Sequence, residues 1–214
     1  MFARHVHERG ESSPLKEAFT ENKKEVLQGT LFASGYGVLF YLTLIYLPTW
    51  ASQFTSLRLD QAMWFNTLGT ALLVPMILLG AWVSDRFVRR THLLIPVMLA
   101  FAVLALPLQL WMATGSLVAV AFTQVLFAIL IGIPCGVGPA LFVELFPTRD
   151  RLSGYSVAFN VGMGLVGGST PAAVTWLISE TGLDMAPAFY MIAAAVLAAA
   201  TLAWMHDRSR EPLS

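Results

Sequence analysis

Six runs of mostly apolar residues constrain this chain more than any other feature. They lie near 26–50, 61–83, 92–112, 117–142, 153–178 and 186–205. Each matches the length of about 20 residues that a helix needs to cross the hydrocarbon core of a bilayer. Inside that core every peptide N–H and C=O must find a partner within the protein, which a helix provides for each run on its own. Membrane-spanning strands would show shorter alternating segments, and none appear. The expectation is an all-α membrane protein with six transmembrane helices over 26–206, a linker over 1–25 and a tail over 207–214. Only 12% of the residues are charged, about half the share found in soluble domains. The formal net charge is zero, so no basic field invites nucleic acid.

The charge collects in the dividing segments "SLRLDQ", "SDRFVRR", "ELFPTRDR" and "SETGLD" and in the two tails. Orientation follows from Lys and Arg, which concentrate on the cytoplasmic side. With the N-terminus inside, the inner segments hold twelve: Arg4, Arg9, Lys16, Lys23, Lys24, Arg86, Arg89, Arg90, Arg149, Arg151, Arg208 and Arg210. The outer loops hold only Arg58. Both termini and the segments around 84–91 and 144–152 are therefore expected in the cytoplasm, in a multi-pass protein of the bacterial inner membrane. Trp50, Trp64, Trp82, Trp111 and Trp204 fall at or near span ends, where an aromatic belt would place them.

The N-terminal stretch mixes charges of both signs and has no apolar core of a signal peptide. Within it "SSPLKEAFTENKKEVLQG" reads as a helix capped by Ser13, with Pro14 in its first turn. Leu15, Ala18 and Phe19 share one face, so this helix would lie along the membrane surface; a solvated linker is the alternative. The single cysteine, Cys135, excludes an intrachain disulfide and reads as a small apolar residue. His5 and His7 are too few to define a metal site, and neither a metal nor a cofactor is expected. No nucleophile elbow, zinc-protease motif or phosphate loop appears. The literal G-x-G-x-x-G at Gly162, Gly164 and Gly167 follows no strand and so fails as a dinucleotide site. The chain is not expected to be an enzyme.

No charged residue falls at mid-span, where ionisable groups are costly and functional. The uncharged polar residues there divide between cavity lining and helix-to-helix hydrogen bonding. Asn66 and Thr70 share a face at i, i+4, as do Tyr36 and Phe40; Gln124 and Asn160 lie in the fourth and fifth runs. These six are the candidate substrate-cavity residues, with Tyr36 and Asn160 foremost. Gly132 with Gly136, and Gly164 with Gly168, form G-x-x-x-G pairs that let helices approach closely. Pro134 and Pro171 lie inside spans and can kink them.

Two charged loops carry a resemblance. In "GAWVSDRFVRRTHLL", Asp85, Arg86, Arg89 and Arg90 match the cytoplasmic signature of the major facilitator superfamily, roughly G-x-x-x-D-R-x-G-R-[RK]. Val88 stands at the turn glycine, and Gly80 lies one residue too far upstream. "ELFPTRDRLSGYSVAFNVG" resembles the loop between the tenth and eleventh helices of the metabolite:proton symporter branch, close to E-L-F-P-T-x-x-R-x-[ST]-G. Glu144, Leu145, Phe146, Pro147, Thr148, Arg151, Ser153 and Gly154 fit, and Asp150 replaces a usually apolar residue. "GYGVLFYLTLIYLPTW" resembles that family's seventh helix, and the six runs then correspond to helices seven to twelve.

The resemblance implies half of a superfamily bundle, built as a three-plus-three inverted repeat. It implies a C-terminal half that works with an N-terminal six-helix half, on a small-molecule substrate and protons. Asp85 with Arg86, Arg89 and Arg90 would form one cytoplasmic gate cluster, and Glu144 with Arg151, beside Arg149, a second. The proton-carrying group would sit in the other half. The alternative is a truncated or split remnant that acts at most as a membrane scaffold.

Overall fold

The computed structural model describes residues 22–148 and 151–209. The expected surface helix before Asn22, and Arg149 and Asp150, lie outside the described residues. Every described element is helical. Six helices are long and apolar enough to cross a membrane: α1 (Lys23–Phe54), α2 (Leu59–Arg86), α3 (Arg90–Met112), α4 (Leu117–Leu145), α5 (Arg151–Thr181) and α6 (Ala186–Trp204). Their bounds differ from the apolar runs by at most four residues. Several helices overrun the apolar stretch, because a helix end leaves four carbonyls or amides unpaired and extra turns move those groups out of the hydrocarbon. α4, at 29 residues, is about 44 Å long and carries Glu144 on such an extension.

Short connections make successive helices antiparallel. The main packing pairs are α2 with α4, α1 with α5, α3 with α6, α1 with α6, and α3 with α4. This set maps onto itself when the first three helices are exchanged for the last three. α2–α4 becomes α5–α1, α1–α6 becomes α4–α3, and α3–α6 is its own counterpart. Exchanged helices run in opposite directions, so the bundle is a three-plus-three inverted repeat. Phe32 of α1 meets Phe142 of α4 at 5.5 Å between ring centroids, and Phe101 of α3 stacks on Phe127 of α4 at 5.4 Å. Burial is uneven: 67% of the most apolar window of α1 is covered, but only 22% in α2 and in α5. The two least covered helices are symmetry counterparts in the repeat.

Two helices contain a wider π turn: Leu42–Tyr46 in α1 and Asn160–Gly167 in α5. Each comes shortly before a proline, Pro48 or Pro171. Proline gives no N–H to the carbonyl four residues back and crowds it, and at these two places the ladder is wound with i→i+5 bonding, whereas Pro75, Pro96, Pro107, Pro134 and Pro139 sit within α-helix. This corrects one expectation about glycine. Gly132 and Gly136 do mark a close contact, because a Cβ on Gly132 would lie 2.7 Å from Met76 Cβ and one on Gly136 would strike the Ile77 carbonyl. Gly164 has nothing within 4 Å, and Gly168 meets only Tyr41 at ordinary contact distance. Within the π turn of α5 the tight glycines are Gly162, against Ala33 and Ser34, and Gly167, against Gly37. They are five apart, the spacing that shares a face in a π turn, whereas G-x-x-x-G assumes α geometry.

The Trp50 expectation also changes. Trp64, Trp82, Trp111 and Trp204 are exposed at helix ends, but Trp50 is fully buried and donates its indole N–H to the Asp184 carbonyl at 2.8 Å. Gly136→Ala should lower stability by about 1–3 kcal/mol through overpacking of α2 on α4. Gly164→Ala should be neutral or slightly stabilising. Thermal unfolding of the two variants in detergent checks the contrast.

Candidate functional site

At the end of the bundle that carries the charged loops, α3 begins directly after the three-residue turn 87–89. Val88 occupies that turn without strain, since no non-glycine residue has positive φ among the described residues. Gly80 serves elsewhere, where α2 closes on α4: a Cβ there would lie 3.1 Å from the Ile133 backbone. Arg90, the first residue of α3, is the hub. Its Nε and Nη2 donate to the two Glu144 carboxylate oxygens, each at 2.7 Å. Its Nη1 donates to Ser84 Oγ at 2.8 Å and to Asp85 Oδ1 at 3.0 Å. The Arg90 and Glu144 side chains are only 11% and 14% exposed, so this bidentate pair is largely shielded from water. Only a planar guanidinium can make that fork.

This arrangement revises the expected pairing. Glu144 meets Arg90 of the other charged loop and not Arg151, whose Nε donates to the Phe146 carbonyl at 3.4 Å. The two clusters of the sequence reading are therefore one, joined across α2, α3 and α4. Arg86 and Arg89 are exposed and have no ion-pair partner among the described residues. Arg149 lies outside them. Ser84 carried no signal in the sequence.

A second bond at this end went unnoticed in the sequence. The Thr91 backbone N–H and hydroxyl donate to Asp207 Oδ2 at 2.9 and 2.6 Å, and the Ser209 N–H donates to Oδ1 at 2.9 Å. Burial would raise the Asp207 carboxyl, but hydrogen bonds from Ser209 and Thr91 outweigh it and hold the group down at about 2. The available signal was a helix opening with arginines and no Ser, Asp or Asn cap, together with a carboxylate just past the last span.

At mid-span, Tyr36 is buried and donates its hydroxyl to Cys135 Sγ at 3.1 Å, joining α1 to α4. Phe40 lies 6.4 Å from the Tyr36 ring. Asn66 Nδ2 donates to the Leu44 carbonyl at 3.0 Å, the very group that Pro48 cannot serve. Thr70 stays local, bonded to the Asn66 carbonyl, and Asn160 likewise to Ser156. Gln124 is 2% exposed, and neither amide atom has a partner among the described residues. Tyr36 and Phe40 are thus neighbours on α1, Asn66 meets the same helix further along at Leu44, and Asn160 is exposed on α5. A second aromatic group, Phe142, Tyr155 and Phe159, adjoins through Phe32, with ring centroids 5.5–5.7 Å apart.

Residues 26–214 match the family model described as Major Facilitator Superfamily. The chain belongs to the major facilitator superfamily. The six-helix inverted repeat is half of a superfamily bundle, and the superfamily comprises transporters rather than enzymes. The chain is 34% identical over 143 residues to the ectoine/proline transporter ProP of Corynebacterium glutamicum, covering 67% of this chain and 28% of that protein. It is 26% identical over 207 residues to a proline/betaine transporter of Escherichia coli K12, covering 95% of this chain and 40% of that one. A putative proline/betaine transporter of Staphylococcus aureus is 25% identical over 173 residues, covering 80% and 36%. The chain thus spans well under half the length of these relatives. No solved structure matches it significantly.

Two outcomes follow from the charged end. Glu144→Ala strips Arg90 of its shielded partner and should cost about 3 kcal/mol. Asp85→Ala should cost less than about 1 kcal/mol, because that carboxylate is 61% exposed. Denaturation in detergent distinguishes them. Asp207 has a folded-state value below the ordinary 3.8, so its stabilisation is present above that value and is lost as pH falls towards about 2. Asp207→Asn should lower the melting temperature at neutral pH and flatten the decline of wild-type stability on the acid side.

Proposed function

We propose that the chain is the C-terminal half of a secondary transporter, which symports a small polar metabolite with protons by alternating access. An organic acid, an amino acid or a betaine-like osmolyte fits the site. The relatives named for proline, betaine and ectoine favour a small zwitterion. Tyr36, Phe40, Asn66, Thr70, Gln124 and Asn160 are the residues of this half that would face the substrate. Aromatic faces can hold an ammonium group, and neutral amides and hydroxyls can hold a carboxylate.

The observation that carries this reading is the poor covering of α2 and α5. Counterparts in the repeat, they would offer the uncovered surface for a second six-helix half to rock against. The charged end would face the cytoplasm of the bacterial inner membrane, with both termini inside, as the distribution of Lys and Arg requires. There Arg90, Glu144 and Asp85, with Arg86, Arg89, Arg149 and Arg151 around them, would brace the gate. Because no charged residue lies at mid-span in this half, the proton carrier would belong to the other half.

Vesicles containing this chain alone should show no uptake of labelled proline or betaine under an imposed proton gradient. Adding the N-terminal half of a relative should restore it. Uptake by the chain alone would overturn the reading, and so would an assembled pair of halves that moves solute with no response to the gradient.

A further inference from the structure

α3 begins without an acceptor of its own. Its N-cap is Arg89, which makes no side-chain cap bond and whose side chain carries only donors. A helix start needs an oxygen to accept from its second or third N–H, and a carboxylate is favoured there by the helix dipole. Here that oxygen comes from 116 residues further on, as Asp207 takes both the N–H and the hydroxyl of Thr91. Thr91 is the residue next to Arg90. The same carboxylate that caps the helix therefore fixes the backbone from which the hub guanidinium reaches Glu144.

The start of the tail is itself held at three places. Gln28 of α1 donates to the Trp204 carbonyl at 3.1 Å, and Lys24 sits 5.9 Å above the Trp204 ring. Asp207 holds α3. Met205, His206 and Arg208 line a crevice of about 10 Å³ with Leu141, Glu144 and Leu145 of α4. The segment thus runs across the ends of α1, α3 and α4 and shares that crevice with Glu144. We propose that Asp207 is a positioning residue for the Arg90–Glu144 pair, and that residues 204–209 form a strap that holds the charged ends of the helices in register. This concerns how the cluster is built and stands apart from its transport role.

The test is a double-variant cycle on the purified chain in nanodiscs, using Asp207→Ala and Glu144→Gln. If the strap positions the pair, the melting-temperature loss of the double variant falls short of the summed single losses by at least half of the smaller one. Val174→Ala, which thins the core of α5 away from the cluster, combines additively with Glu144→Gln as a control. Amide exchange at residues 141–145 of α4 speeds up in Asp207→Ala and not in Val174→Ala. Asp207→Asn, which keeps an acceptor oxygen, recovers part of the protection; it also replaces Asp207→Ala in the cycle if the alanine variant fails to fold. Additive losses, or unchanged exchange at the end of α4, would overturn the proposal.

Discussion

Everything in this bundle follows from the demand that buried peptide groups be bonded inside the protein. In hydrocarbon there is no water to repair a broken ladder. That makes six helices the only economical solution for six apolar runs, and it makes a lost ladder bond matter. Pro48 leaves the Leu44 carbonyl without its usual donor, and Asn66 of the neighbouring helix supplies one. A residue that looks like a substrate contact in the sequence is thereby also a repair to the backbone, and it ties α2 to α1 where α1 changes its winding.

The same economy governs charge. Arg90 is nearly covered, yet its guanidinium donates to Glu144, Ser84 and Asp85. Removing a charged group from water is tolerable only with that degree of bonding. The cluster needs three helices and a tail to build, which is why it sits at the ends of the bundle, where helices overrun the apolar stretch and loops bring distant residues together.

The spans were legible in the sequence because hydrophobic length is a local property, readable from about 20 residues at a time. The charged loops were legible because their residues match a family pattern in order. Pairing across loops was not. Glu144 is close in sequence to Arg151 but folds against Arg90, and nothing in either loop records the angle between α3 and α4. Asp207 was missed for the same reason, since its partner lies across the bundle. The glycines of α5 were misread for a different reason: a four-residue spacing presumes α winding, and Asn160–Gly167 is wound as a π turn. Tyr36 was singled out as a polar group in an apolar helix, but its partner, Cys135, reads as merely small and apolar.

The π turn of α5 also bears on how this helix tolerates changes in length. A π turn holds one more residue than an α turn in the same rise, so it acts as an absorbed insertion. Deleting one residue between Asn160 and Gly167 would let the ladder close as ordinary α-helix, leaving the helix nearly as long as before. Everything beyond it would keep its face, because the extra residue is taken up inside the turn. Trp176, now on the outer surface, would stay there, whereas the same deletion in a plain α-helical stretch would turn all that follows by about 100°. In this helix the π turn is the one place where the chain can lose a residue without rotating its far end.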